Sequence, residues 1–229
     1  MRLTVFFILA TIVATCNADC HILQEGKIYL LRPRSGAASW HLTLKTNNLQ
    51  NREIVPMSCE KYIGHYKLDK QYQHDYELVA DATTKYAKGL KFIGNSKDIW
   101  VFDVAKIVLT NIPYYAWALP SNKTSFNEWI AEGKLPAVPE AFHLYKTLLR
   151  LRFKIVYLTR IQEEYREARI ANLKAVGYRT WDKLILRRSE LVKAGYRILG
   201  NSGDQWSDIL GDNNGNRTFK IPDPMYYLV

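Results

Sequence analysis

The sequence of 229 residues is poor in several features that mark particular protein classes. Its 12 glycines and 8 prolines are too few for a collagen-like or low-complexity chain. Its longest apolar run, over residues 3–14, is shorter than the roughly 18 residues that a membrane-spanning helix requires. We therefore expect an ordinary folded chain without a membrane span.

Common catalytic signatures are missing as well. The sequence contains no glycine-rich nucleotide loop and no Gly-x-Ser-x-Gly turn of the kind that carries a serine nucleophile. It has only 3 cysteines and no closely spaced pair of histidines, so it does not support a zinc site. The histidines are His21, His41, His65, His74 and His143. These absences argue against nucleotide, serine-hydrolase and zinc chemistry.

The chain does have apolar residues and positive charge. Hydrophobic residues make up 48% of the sequence and aromatic residues 13%, which is enough for the core of one ordinary domain. Lys and Arg total 32 and Asp and Glu total 22, so the formal net charge is +10. This charge leaves a nucleic-acid or polyanion binder as one hypothesis. Because the basic residues are scattered along the chain, we expect no nucleic-acid partner.

The N-terminal residues are typical of a secretory signal. Arg2 precedes the apolar run, and small or polar residues follow it up to Ala18. This pattern predicts a signal peptide over residues 1–18 and a single mature domain over residues 19–229. We therefore expect the protein in the secretory pathway, with an extracellular or a vacuolar destination.

Secretion would permit two covalent modifications. Cys20 and Cys59 remain after removal of the signal, and they can form one disulfide in an oxidising compartment. The triplets that begin at Asn122 and Asn216 match the acceptor pattern for N-glycosylation. The sequence thus predicts a secreted glycoprotein with one disulfide.

Apolar runs alternate with helical patterns along most of the chain. The runs predict strands over residues 98–103, 154–158, 183–186 and 197–199, and the helical patterns predict helices over 58–90 (as one helix or two), 125–131, 139–151, 162–176, 189–194 and 205–210. Residues 20–56 are expected to form short strands and loops. Strands separated by helices indicate an α/β fold, with a parallel sheet and helices on both faces.

Polar residues follow three of these strands, at the edge where such sheets bind ligands. They are Asp103, Thr159 and Asp204. Two carboxylates can hold Mg²⁺ there, and a hydroxyl can donate to a phosphate oxygen. Each residue also has a structural interpretation, because Asp103 can simply end its strand and the other two can cap the helices that follow. Their joint occurrence at three strand ends favours a binding site.

Several motifs carry a resemblance to a known family. They are Trp100-Val-Phe-Asp103, Leu109-Thr-Asn-Ile-Pro-Tyr-Tyr115, Ser125-Phe-Asn-Glu-Trp129, Lys183-Leu-Ile-Leu186 and Gly200-Asn-Ser-Gly-Asp-Gln-Trp-Ser-Asp208, with further similarity at Gly64-His-Tyr66 and from Asn213 to Tyr227. On these motifs the chain resembles the plant acid phosphatase and vegetative storage protein family, which belongs to the haloacid dehalogenase superfamily. The similarity extends over nearly all of the predicted mature domain.

The resemblance implies a Rossmann-like haloacid dehalogenase fold with a small cap, and hydrolysis of phosphate monoesters with Mg²⁺. Asp103 matches the aspartate that attacks phosphorus, and Ala105 stands where the family has the aspartate that protonates the leaving alcohol. Thr159 matches a phosphate-binding position. The ligands for Mg²⁺ would be Asp103, the backbone carbonyl of Ala105, Asp204 and Asp208. Because a methyl group donates no proton, the resemblance also predicts impaired catalysis.

Four further positions depart from the family pattern, and one of them is Ile161, which replaces an arginine. Lys106 and Ile107 replace a glutamate and a threonine. Arg160 replaces a glycine, which adds a side chain at a turn where backbone should approach phosphate and can demand an unfavourable dihedral angle. We expect Lys106 to be a solvated surface lysine.

The chain is also shorter than the family in two places. One is the loop over residues 116–122, where a change can alter the cap. The other lies between residues 186 and 189, where the family carries a lysine that neutralises phosphate. That lysine has no clear equivalent here, and Lys183, Arg187 and Arg188 are its electrostatic substitutes.

Two functional hypotheses follow from these observations. The first is a secreted, phosphatase-like protein of the vegetative storage type, with impaired phosphomonoesterase activity. The second is an active Mg²⁺-dependent acid phosphatase that uses Asp103, with water or a relocated side chain as the proton donor. In both cases the expected partner is a phosphate monoester or a phosphate ion. The oligomeric state stays open, with a dimer among the options.

Overall fold

The strands of the computed structural model largely follow the apolar runs of the sequence. The structure describes residues 36–48, 53–91, 97–114 and 125–227. In chain order the strands are β1 (Glu53–Ile54), β2 (Asp98–Asp103), β3 (Lys154–Leu158), β4 (Lys183–Ile185), β5 (Arg197–Gly203), β6 (Thr218–Lys220) and β7 (Tyr226–Tyr227). The predicted strands over 98–103 and 154–158 are confirmed, and the one predicted over 183–186 ends one residue earlier.

Helices connect most of these strands. They are α1 (Gly36–Lys45), α2 (Met57–Leu68), α3 (Lys70–Gly89), α4 (Phe126–Ala131), α5 (Pro139–Arg150), α6 (Arg166–Ala175), α7 (Ser189–Lys193) and α8 (Trp206–Ile209), and a short 3-10 helix over Glu163–Tyr165 precedes α6. The helical pattern over 58–90 is therefore two helices. They are divided at Asp69, whose side chain accepts a hydrogen bond from Lys70 N at 2.7 Å.

Strands β2 to β6 form one sheet in the order β4-β3-β2-β5-β6, and every neighbouring pair is parallel. β1 and β7 pair antiparallel in a separate two-stranded sheet. In the main sheet Asp103 lies opposite Leu158, and Phe102 lies opposite Ser202. The carboxyl ends of β2, β3 and β5 therefore lie side by side, which confirms the predicted α/β fold.

The central strand β2 is buried along its whole length, and its side chains alternate between two parts of the core. Trp100 and Phe102 pack in the larger part, together with side chains of α3, α5 and α6. Ile99 and Val101 pack in the smaller part with Leu191 of α7. Because successive side chains of a strand point to opposite faces, this division places helices on both faces of the sheet.

Two of the secondary-structure predictions are wrong. The segment expected to hold only short strands and loops contains helix α1. The fourth strand, predicted over 197–199, continues to Gly203. Its added residues are glycine, asparagine and serine, which locally favour turns, but pairing with β2 and β6 supplies the hydrogen bonds of a strand.

Gly200 shows why this extension is possible. The Trp100 indole lies so close to the backbone of β5 that a Cβ atom at position 200 would overlap the ring. The indole Nε1 donates a hydrogen bond to Ser202 Oγ at 3.1 Å, and the ring stacks on Phe219 with centroids 5.6 Å apart. Packing against an aromatic side chain, and not a turn, therefore requires glycine at position 200.

We predict that Gly200→Ala lowers the free energy of unfolding by about 3 kcal/mol, because the buried indole and the strand would have to move apart. The matched control is Gly64→Ala in α2, where no heavy atom lies within 4 Å of the added Cβ atom. This control should gain up to about 1 kcal/mol from helix propensity. Urea unfolding of both variants measures the difference, and equal stabilities would contradict the packing argument.

Some predicted features lie outside the described residues. They are the signal peptide over residues 1–18, Cys20, Asn122 and the loop over residues 116–122. The segment between β2 and α5, where the expected cap would lie, is described only in part, and it includes α4. None of the helices in the described ranges combines the length and the apolar character needed to cross a membrane.

Candidate active site

Three carboxylates converge at the edge of the sheet where β2 and β5 end. Asp103 is the last residue of β2, Asp204 directly follows β5, and Asp208 lies in α8. One carboxylate oxygen of each lies within 4.8 Å of the others. These residues, called the acidic cluster below, are 2 to 5% exposed. Parallel pairing of the strands thus unites residues that are distant in the sequence.

Local contacts position the aspartate of α8. Gly203 is required because a Cβ atom there would overlap the Cβ atom of Asp208. Gln205 N donates to Asp208 Oδ2 at 2.9 Å, and Asn201 Nδ2 donates to the Asp208 backbone oxygen at 2.7 Å. The N-cap of α8 is therefore Gln205 and not Asp204, and Asp208 completes a capping box with Gln205. The Asp204 carboxylate accepts a hydrogen bond from Gln205 Nε2 at 2.8 Å.

Burial and close approach together make these carboxylates difficult to ionise. Burial, and then the charges of Asp208 and Asp204, raise the pKa of Asp103 well above its ordinary range. Burial, and then the charges of Asp223 and Asp208, raise the pKa of Asp204 to about 7. Burial also raises the pKa of Asp208, although Arg160 opposes the shift. A divalent cation would relieve this repulsion, so three crowded oxygen donors fit Mg²⁺ chemically.

Positive side chains surround the acidic cluster. Arg160 forms an ion pair with Asp208. Arg188 donates to the backbone oxygen of Asp208, and Lys220 donates to that of Asp204. Arg160 is not among the residues with a positive φ angle, so the unfavourable dihedral angle considered for this position is absent. The effect of the arginine is instead that its guanidinium is paired with one carboxylate of the acidic cluster.

Of the three residues predicted to substitute for the missing family lysine, the structure shows a contact with the acidic cluster for one. Arg188 contacts the acidic cluster, and it also donates to Leu210 O at 3.1 Å. Lys183 and Arg187 are exposed, and the Lys183 ammonium lies 4.9 Å from the ring centre of Tyr196. The sequence prediction omitted Lys220, which reaches the cluster from β6.

A second group of charges acts on Asp204 from inside the protein. Lys106 Nζ lies 3.1 Å from Asp223 Oδ2, and Lys67 Nζ lies 3.4 Å from Asp223 Oδ1. These side chains are only 1 to 4% exposed. The expectation of a solvated Lys106 is therefore wrong, because an ionic partner in the core offsets its loss of hydration.

This ion pair holds the turn that follows Asp103. Lys106 has a φ angle of 69°, a left-handed conformation that costs a non-glycine residue about 1 kcal/mol. Lys106 N donates to Leu109 O at 2.7 Å, and Leu109 N donates to Val104 O at 3.1 Å. Burial tends to raise the pKa of Asp223, but the adjacent lysines outweigh it and hold the pKa well below its ordinary value. The turn is thus fixed by backbone hydrogen bonds and by a buried ion pair.

Two other predicted residues lie at the same edge of the sheet. Thr159 is buried directly after β3, and its Oγ1 accepts a hydrogen bond from Ile161 N at 3.4 Å. It does not cap the following helix, which begins at Glu163 after Gln162. Ala105 is half-buried in the turn after β2 and forms a β-bridge with Leu109. Their roles in phosphate and metal binding stay predictions.

The predicted covalent features are only partly described. Cys59 is buried in α2, but its predicted partner Cys20 lies outside the described residues. Asn216 is exposed before β6, where a glycan has room, whereas Asn122 lies outside the described ranges. The disulfide and both glycosylation sites stay predictions.

Comparison with known proteins identifies the family of the chain. The profile of HAD superfamily, subfamily IIIB (acid phosphatase), matches residues 28–229. Acid phosphatase 1 of Solanum lycopersicum is 34% identical, over 100% of this chain and 100% of its own. Vegetative storage protein 1 of Arabidopsis thaliana is 37% identical, over 83% of this chain and 78% of its own. The chain belongs to this acid phosphatase family, as its motifs predicted.

A solved structure supports the fold. The class C acid phosphatase from Bacillus anthracis superposes with a TM-score of 0.61 at 22% sequence identity. The match covers 73% of this chain and 84% of that one. Together with the matching family profile, it confirms the haloacid dehalogenase-like fold that the sequence resemblance implied.

Sequence reasoning missed several charged residues near the cluster. They are Lys67, Arg169, Lys220 and Asp223. A signal existed for Lys67, which follows the buried Ile63 by four residues and therefore lies on the same face of α2. Asp223 lies in an irregular segment near the C-terminus, where no periodic pattern indicates burial.

The electrostatics predict a stability that depends on pH. The pKa of Asp204 is higher in the folded protein, at about 7, than its ordinary value of 3.8. Ionisation of Asp204 between these pH values therefore lowers the free energy of unfolding, because the folded state binds the proton more tightly. Without divalent cations and at about pH 8, the free energy of unfolding of Asp204→Asn should exceed that of the wild-type protein by on the order of 2 kcal/mol.

This advantage should disappear near pH 4, where Asp204 is protonated in the wild-type protein. Urea unfolding across the pH range measures it. Asp212→Asn is the matched control, because Asp212 is exposed and the substitution is chemically the same. A pH-independent difference between Asp204→Asn and the wild-type protein would contradict the assigned electrostatic cause.

Proposed function

We propose that this member of the acid phosphatase family is a secreted storage-type protein with impaired phosphomonoesterase activity. The observation that carries the proposal is Ala105, which follows the turn-forming Val104 directly after Asp103 and has no group that can donate a proton. In the phosphatase reaction, Asp103 forms a bond to phosphorus while the bond from phosphorus to the leaving oxygen breaks. That oxygen then needs a proton, which residue 105 cannot supply.

The acidic cluster supports retention of a metal. Asp103, Asp204 and Asp208 would hold Mg²⁺, with the backbone carbonyl of Ala105 as a further ligand. Bound Mg²⁺ would neutralise charge that develops on the phosphoryl oxygens. The ion pair between Arg160 and Asp208 competes with this arrangement, because it already occupies one carboxylate. Binding of a phosphate monoester or phosphate ion can thus persist where turnover is slow.

The storage role and the location rest on different support. Vegetative storage protein 1 is among the similar proteins, which favours storage of amino nitrogen. A stem 28 kDa glycoprotein of Glycine max, 36% identical over 100% of this chain and 99% of its own, favours the secretory route that the N-terminal pattern predicts. We infer an extracellular or vacuolar destination. The oligomeric state stays open, with a dimer as one option, and sedimentation of the purified protein would measure it.

The test restores the missing acid. We predict that Ala105→Asp raises the rate of hydrolysis of an alkyl phosphate, in the presence of Mg²⁺, by about 10²- to 10⁴-fold. An aryl phosphate should gain less, because its leaving oxygen needs less protonation. Ala105→Asn is the matched control, since it has nearly the same shape as aspartate but no acidic proton.

The wild-type rate decides the proposal. A purified wild-type protein that hydrolyses the alkyl phosphate at about 1 s⁻¹ or faster would contradict impaired activity. An inactive Ala105→Asp variant would place the defect elsewhere, with the occupied Asp208 as the first candidate.

A second function, an active Mg²⁺-dependent acid phosphatase, is favoured by the intact acidic cluster. Here a water molecule would protonate the leaving oxygen. This hypothesis predicts that Asp103→Asn abolishes hydrolysis, because an amide does not form the bond to phosphorus. Steady-state kinetics measure the loss, and urea unfolding confirms that the variant is folded. Unchanged activity would exclude the mechanism.

A further inference from the structure

Arg169, on α6, is a buried cation with unused hydrogen-bond donors. Its side chain belongs to a residue that is only 2% exposed. Its Nε and Nη1 atoms have no hydrogen-bond partner among the described residues. Burial lowers the pKa of Arg169 to about 10, so the group stays charged at neutral pH. A buried charge with unused donors costs free energy unless an anion satisfies it.

Neighbouring contacts locate this guanidinium. Asn172 lies three residues after Arg169 and therefore on the same face of α6. Leu135 N donates to Asn172 Oδ1 at 3.0 Å, and Asn172 Nδ2 donates to Leu135 O at 2.9 Å. These bonds fix α6 against the chain that precedes α5. Arg169 lies one turn closer to the start of α6, which is the end nearer the carboxyl edge of the sheet.

The chain that precedes α5 is itself joined to the turn after Asp103. Leu109 forms β-bridges with both Ala105 and Ala137. Arg169 thus faces the region between α6 and the turn after β2. Asp103 acts electrostatically on Arg169, and each group stabilises the charged form of the other. The guanidinium therefore lies within electrostatic range of the candidate nucleophile.

The other cations near the acidic cluster are already engaged. Arg160 pairs with Asp208, and Lys106 pairs with Asp223. Lys220 and Arg188 donate to backbone oxygens. Arg169 differs from them because the donors on its Nε and Nη1 atoms have no partner among the described residues.

We propose that Arg169 is a ligand of the phosphate group that binds beside Asp103, and that its guanidinium donates hydrogen bonds to the phosphate oxygens. The inference rests on the proposed function, because it assumes a phosphate site at the acidic cluster. Guanidinium suits this task because it is always charged at neutral pH and presents several donors to oxyanions.

The experiment measures binding of inorganic phosphate by calorimetry, in the presence of Mg²⁺, to the wild-type protein and to Arg169→Met. The variant should bind phosphate at least about tenfold more weakly, since it loses charge-assisted hydrogen bonds. Without phosphate it should unfold at the same temperature as the wild-type protein or higher, because an unpaired buried charge is gone. Arg169→Lys keeps the charge and should recover part of the affinity.

Arg150→Met is the matched control. Arg150 lies on an exposed part of α5 and donates to Thr147 Oγ1 at 3.0 Å, so this variant loses the same charge far from the site. Its phosphate affinity should stay within about twofold of wild type. The same result for Arg169→Met would overturn the inference and leave the phosphate site intact.

Two other outcomes also count against the inference. If Arg169→Met is less stable by equal amounts with and without phosphate, Arg169 has a structural role only. If the wild-type protein binds no phosphate, the phosphate site that this inference takes from the proposed function is absent, and the inference fails with it. The wild-type titration therefore separates the two failures.

Discussion

Burial of three carboxylates at one edge of the sheet is the constraint on which the rest of the site depends. Burial disfavours the charged carboxylates, and like charges repel strongly where water is excluded. Both effects, burial first, raise the pKa of Asp204. The protein surrounds the cluster with Arg160, Arg188 and Lys220, which approach from three different segments. This compensation is incomplete, because Asp204 still holds its proton up to about neutral pH. The remaining deficit of positive charge is what makes the cluster suitable for a divalent cation.

The residues of the turn after β2 that depart from the family pattern still contribute to the stability of the fold. Ile107, which replaces the family threonine, is fully buried in the larger part of the core, and its backbone oxygen accepts a hydrogen bond from the Tyr76 hydroxyl at 3.4 Å. Lys106 gains Asp223 as a partner. The substituted residues thus contribute to packing and to ion pairing. A turn stabilised in this way does not depend on an aspartate at position 105. The fold can therefore persist after catalytic activity is lost.

The sequence predicted those parts of the structure that local pattern controls. Short apolar runs located β2 and β3, and the polar residues that follow them located Asp103 and Thr159. Local pattern failed where tertiary contacts opposed it. The end of β5 looks like a turn, but it is a strand because Trp100 packs on Gly200 and two neighbouring strands supply hydrogen bonds.

By itself the sequence determined the family, the parallel sheet and the strand ends that carry the acidic cluster, because periodicity and motifs act over short stretches. Only the tertiary structure decided which charges meet. It placed Lys106 in the core with Asp223, and it left Arg169 buried with unused donors. The physical reason is that burial and ion pairing depend on distances between segments that are remote in the chain, and strand register and helix packing set those distances.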